Sequence, residues 1–233
     1  MSTVTKPKAA TRGHLEPERR LVIRGACWDD YVTLVDSLSE HTPLRVAFDG
    51  RDIEIMTKGG DHEEFSCLTH HIIVVVAQVR GTNVEPDGET TWRKPETKRG
   101  LEADQRYFFD DAKRKQLARI KAADKPSGRK TGIENLPSPD LAVEIDISAP
   151  KVDRQSIHAA PNVTELWRFD GENAVIERLT PEGRHEAVDK SKWLGITPAD
   201  LVRWLIKEDT TEFIPWLNRV TKWARRESTR RKT

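Results

Sequence analysis

The chain has 233 residues, enough for one domain with a substantial core plus tails. Its 39 Lys and Arg nearly cancel its 38 Asp and Glu, so the net charge of +1 excludes a global basic field, and any affinity for nucleic acid has to come from local clusters. Only Cys27 and Cys67 are present, which excludes a disulfide framework and a cysteine-ligated zinc site and fits a reducing cytoplasm; no apolar run is long enough to span a bilayer.

Residues 1–20 mix Lys, Thr, Pro and Arg with almost no large apolar side chain, and read as a loose arm without chemistry. Tyr31, Leu34, Val35 and Leu38 recur at helical spacing between Asp29 and Ser39. Leu44 to Phe48 and Asp52 to Met56, joined through Asp49-Gly50, predict a β-hairpin. Asp61 with Glu64 three residues later gives a capping-box signal for a helix to about Arg80. Its stripe of Phe65, Leu68, Ile72, Val75, Val76 and Val79 predicts packing on a sheet. Glu63 falls in its first turn, where the helix dipole alone would favour it. His70 and His71 are adjacent and point apart, so they are no i, i+4 metal pair; one is expected to be a partly buried hydrogen-bonding residue, and His158 a core-edge one.

Thr90 to Lys94 reads as a short strand, followed by the acidic segment GLEADQRYFF. Next comes a basic excursion carrying Lys113, Arg114, Lys115, Arg119, Arg129 and Lys130. A charge run is usually a solvated surface, but beside a metal site these six would gather a phosphate backbone. The strand LAVEIDIS places Leu141, Val143, Ile145 and Ile147 on one face and Glu144 and Asp146 on the other. At roughly 3.3 Å per residue those two carboxylates lie ~6.6 Å apart, within reach of one hard cation. Asp104, near the start of the preceding strand, completes such a site if the strands are neighbours. Asp87 reads as turn chemistry before Gly88, and Asp140 lies too far along the strand from Glu144. The same pattern equally suits a solvated strand face.

Beyond it, 173–179 and 184–188 predict a hairpin, and Pro198 to Ile206 an amphipathic helix. The segment 212–226 sets Phe213, Trp216, Leu217, Val220 and Trp223 at helical spacing beside Arg219, Lys222, Arg225 and Arg226, a stripe suited to core or to a subunit contact. The terminal ESTRRKT reads as a basic tail.

From Leu21 to Leu205 the order of these motifs, CWDDYVTLVDSL, LRVAFDGRDIEIM, the Asp-His-Glu helix start, GLEADQRYFF, SPDLAVEIDIS and NVTELWRFDG, resembles the Uma-type restriction endonuclease family within the PD-(D/E)XK nuclease superfamily. The resemblance implies an α/β fold with a restriction endonuclease-like core, a mixed β-sheet flanked by helices. It divides the chain into an arm (1–20), the nuclease domain (21–207) and a C-terminal amphipathic helix with basic tail (208–233). It implies a DNA endonuclease using Mg2+ or Mn2+, with Asp104 and Glu144 matching the two motif acids, Glu63 as the acid brought by the helix, and Asp146 assisting. The family's lysine after the glutamate strand is replaced by Arg154, with Lys151 a turn earlier, and the Pro before the first aspartate by Ala103. Arginine holds a phosphate but does not release its proton, so the implied activity is either weakened or replaced by DNA binding alone. Nucleic acid, with DNA the expected form, and a second copy as a homodimer are the implied partners; no membrane is.

Overall fold

The computed structural model describes residues 15–38, 44–88, 90–94, 98–127, 136–159 and 162–230. Among the described residues eleven strands form two sheets within a mixed α/β architecture flanked by helices. The first sheet is antiparallel, in the order β1 (Arg19–Ile23), β3 (Ile53–Thr57), β2 (Leu44–Phe48), β6 (Arg99–Ala103), β5 (Thr90–Lys94). The second runs β11 (His185–Ala187), β10 (Ala174–Leu179), β9 (Glu165–Phe169), β8 (Leu141–Ile145), β7 (Gln105–Phe108), β4 (Glu85–Pro86). It is mixed because β8 and β9 are parallel, joined across the short helix α4 (Arg154–Ala159). The α/β fold with a mixed β-sheet flanked by helices, expected from the sequence, is found, and an antiparallel sheet stands beside it.

Period-2 alternation fixes which side of each sheet is apolar. Leu141, Val143 and Ile145 of β8 join Trp167, Phe169 and Ile176 in the main core. That face is covered by α2 (Gly60–Arg80), α5 (Pro198–Val202) with its π-helical continuation 203–207, and α6 (Phe213–Arg230). In the first sheet Val46, Phe48 and Ile53 pack under α1 (Trp28–Ser37), while Glu54 and Met56 face the other way. The tryptophan stripe of α6 is core: Trp216 and Trp223 are buried against α2, and the Trp216 indole donates to the Trp204 carbonyl. The same helix runs on to Arg230, so the first residues of the expected tail are helical. No helix among the described residues is long and apolar enough to cross a membrane.

One local expectation changes. Asp61 does not cap α2: the N-cap is Gly59, and the Asp61 carboxylate accepts from the Glu16 amide instead. Asp104 stands just before the start of a strand, as expected, and the segment GLEADQRYFF divides there, with β6 in the first sheet and β7 in the second. Asp104 therefore stands where the chain passes between sheets.

Gly100 in β6 lets Tyr31 pack against the strand, because a Cβ there would lie 2.2–2.4 Å from the hydroxyl and ring of that buried side chain. That ring stacks on Phe48 at 5.6 Å and has nowhere to retreat without unpacking α1. Gly100→Ala is expected to cost about 1–3 kcal/mol, seen as a lower urea midpoint at unchanged slope. An unshifted midpoint would show that the Tyr31 pocket yields.

Candidate functional site

Gln105 pairs with Val143 in antiparallel register, which sets Asp104 opposite Glu144. The Ile145 amide donates to Asp104 Oδ2 at 2.8 Å, anchoring the aspartate to the neighbouring strand. Both acids are buried, and so is Asp146. The three strand carboxylates singled out in the sequence thus come together in one region between the sheets.

Their partners are mostly residues that the sequence did not mark. Lys58, just before α2, holds Asp104 Oδ1 at 3.1 Å and Glu63 Oε1 at 3.4 Å. His62 bridges Glu18 and Asp104, 3.0 Å from each. Arg154 donates to Glu144 Oε2 at 3.2 Å and to Glu54 Oε1 at 2.7 Å, and His158 Nε2 lies 3.0 Å from Glu144 Oε1. Arg20 spans Glu54 and Asp146, each at 2.8 Å. Glu18 also accepts from the Ile147 and Ser148 amides at 2.8 and 2.5 Å. Glu18 and Arg20, placed in a chemically silent arm by composition, are therefore part of the site. The histidines at 62 and 158, expected outside it, contact its acids directly.

The electrostatics follow from burial against pairing. Burial pulls the His62 pKa down, but its bonds to Asp104 and Glu18 outweigh this and raise it to about 9, so the imidazolium persists at neutral pH. Burial pushes Glu18 up, yet the hydrogen bonds from His62 and Ser148 bring it down to about 2. Asp104 is likewise held below the usual carboxylate range, by His62 and Lys58 against burial. Glu144 goes the other way: burial dominates, and the Asp104 charge opposite adds to it, so its carboxyl is raised despite Arg154. Asp146 is raised by burial to about 6, and His158 is lowered to about 3 by burial and the Arg154 charge. Five acids (Glu18, Glu54, Asp104, Glu144, Asp146) thus face four cations (Arg20, Lys58, His62, Arg154), and a proton on Glu144 closes the balance.

A pH dependence follows from His62. A pKa raised on folding contributes stability that is complete below about 6.5 and lost as pH rises through about 9. His62→Gln is expected to lose about 3 kcal/mol less than the wild type between pH 6.5 and 9 in urea titrations. Parallel pH curves for the two proteins would place the imidazolium elsewhere.

Among the described residues no three His, Cys, Asp or Glu side chains converge as a ready metal cage. Magnesium seldom needs one, since one or two carboxylates with waters and substrate phosphates suffice. The Asp104–Glu63 side fits that requirement: an ammonium already bridges the two carboxylates, and both line a pocket of about 280 Å³. Glu144 is committed to Arg154 and His158, and Asp146 to Arg20, so neither offers an unengaged pair of oxygens.

The remaining expected residues lie further away. Lys151 has an exposed side chain and reaches the site only through its backbone amide, bonded to Glu54. The basic excursion forms α3 (Asp111–Ser127), which follows the far end of β7, ~13 Å along the strand from Asp104. There Lys113 pairs with Asp140, which also accepts from the Phe109 and Asp110 amides, while the Asp110 carboxylate caps α3 by accepting from the Lys113 amide. Lys115 and Arg114 pair with Asp111, and Arg119 is exposed. Arg129 and Lys130 lie outside the described residues.

No protein-family model matches the chain, and no curated protein sequence matches it. Among solved structures it is similar to the crystal structure of a putative nuclease belonging to DUF820 from Anabaena variabilis ATCC 29413. The identity is 16% over 77% of this chain and 99% of that one, at a TM-score of 0.48.

Proposed function

We propose that this chain is a restriction endonuclease-like hydrolase of the PD-(D/E)XK kind, which cleaves phosphodiester bonds in DNA with Mg2+ or Mn2+ in the cytoplasm. The observation that carries the reading is the cross-strand apposition of Asp104 and Glu144, with Lys58 paired to Asp104. Asp104 and Glu63 would hold the ion, with Glu144 held across from Asp104 by Arg154 and His158. A bound divalent ion would supply an activated water and charge for the phosphorane oxygens. Lys58, freed from Glu63, would hold a non-bridging phosphate oxygen with its three donors. Arg154 keeps Glu144 in place rather than meeting the phosphate, because it is buried between two carboxylates. Homodimerisation would convert nicking into double-strand cleavage.

The test is conversion of supercoiled plasmid to open-circle or linear DNA by wild type and Asp104→Asn, with magnesium, manganese or chelator. Cleavage that needs both the ion and Asp104 supports the reading; metal-independent cleavage, or full activity in Asp104→Asn, sinks it.

A second reading is a catalytically silent nuclease fold kept for binding DNA. The commitment of Glu144 and Asp146 to arginines favours it. It expects intact plasmid in every lane and a mobility shift that fades with salt.

A further inference from the structure

The pocket that Asp104 and Glu63 enter continues along the first turns of α2, where Ser66, Cys67, His70 and Gln105 line it. A chain of hydrogen bonds there fixes the tautomer of His70. The Gln105 amide nitrogen lies 2.6 Å from the Ser66 carbonyl, which only accepts, so that end of the side chain is the NH2 and the other is the oxygen. Tyr107 donates its hydroxyl proton to that oxygen. The Tyr107 oxygen can then only accept from His70 Nδ1, 2.9 Å away, so Nδ1 carries the ring proton. Burial and the neighbouring His71 lower the His70 pKa, keeping the ring neutral. Nε2 is left as a lone-pair acceptor that no described residue bonds.

The pocket is thus polarised along its length. Its Asp104–Glu63 end, bridged by Lys58, suits a cation with its phosphate, and its His70 wall offers a neutral acceptor beside Ser66. At about 280 Å³ it falls at the small end of ligand pockets, room for one ring system and not for a duplex. Resting on the nuclease reading, we propose that this wall is a nucleobase subsite: His70 Nε2 accepts an amino or imino N–H from the base next to the phosphate at Asp104. His70 is then a specificity residue, and the substrate presents that base unstacked. Bases in single strands, ends or opened duplex can be splayed in this way, whereas a stacked pair cannot.

The test titrates 15N-histidine-labelled protein, with magnesium present, using each deoxynucleoside 5′-monophosphate and, separately, deoxyribose 5-phosphate. The Nε2 resonance of His70 is expected to move with base-bearing ligands and not with the sugar phosphate. His70→Asn places an amide near Nδ1, so it keeps the bond to Tyr107 and the wild-type melting temperature. It is expected to weaken nucleotide binding about 5-fold while leaving deoxyribose 5-phosphate binding unchanged, and His70→Gln, which restores an acceptor near Nε2, to recover most of the loss. Equal binding of nucleotide and sugar phosphate, or nucleotide binding unaffected in a folded His70→Asn, overturns the subsite. Plasmid cleavage with no nucleotide effect at His70 overturns the subsite alone; the nucleotide effect without cleavage keeps the subsite and removes the nuclease reading.

Discussion

Arg154→Met is expected to lower the unfolding free energy by about 3–5 kcal/mol at pH 8, a large share of what a single domain commands. The guanidinium is buried and holds Glu54 and Glu144 at once, with the Asp146 charge beside it. Removing it leaves three buried carboxylates with Arg20 as the one remaining guanidinium among them. The loss should shrink towards pH 5. Glu144 and Asp146 already have raised pKa values in the intact protein, and protonation removes the charges that Arg154 offsets. A carboxyl raised on folding adds stability at low pH that disappears as pH climbs through its folded pKa, so the deficit of the variant grows with pH. Arg154→Lys keeps a point charge but not the fork that spans two carboxylates, and should fall between. A deficit of the same size at pH 5 and pH 8 would assign the loss to packing rather than charge.

That network marks the limit of what could be read in the sequence. The strands and long helices follow from period-2 and helical spacing, and β2, β3, β5, β8, β9 and β10 stand close to where alternation puts them. Glu144 was found because it is an acid in an otherwise apolar strand, and Asp104 because it precedes the apolar run of Tyr107, Phe108 and Phe109. Glu54 carried the same signal between Ile53 and Ile55, and His62 lies on the buried stripe of α2 one turn before Phe65 and Ser66. Glu18 and Arg20 carried none. They lie in a polar stretch, and only the pairing of β1 with β3 turns Arg20 towards Glu54. The switch of sheets at Asp104 was hidden for a related reason. An extended chain can change sheet without any break in its residue pattern, and the requirement for Gly100 becomes visible only once Tyr31 is packed against it. His70 looked like an ordinary half-buried histidine until Gln105 and Tyr107 fixed its tautomer.

Asp104→Asn is expected to cut metal-dependent cleavage by about 10³-fold or more while the protein stays folded. The change keeps the shape, and the amide oxygen can still accept from the Ile145 amide. What goes is the charge that faces Lys58 and His62. Without it Lys58 loses one of the two carboxylates that it bridges. The His62 pKa falls from about 9 because the Asp104 hydrogen bond and charge are among the effects that raise it. The second effect supplies an internal control independent of turnover. A variant whose His62 titrates lower, and whose melting curve stays cooperative, has lost the charge and kept the fold. Loss of cleavage in such a protein is then chemical. Were wild type itself inactive with every divalent ion, the same His62 shift would still appear, because it belongs to the Glu18–His62–Asp104 bridge and not to the reaction. The two measurements together separate a site that holds its carboxylates ready for a cation from one in which arginine, lysine and histidine have taken the cation's place.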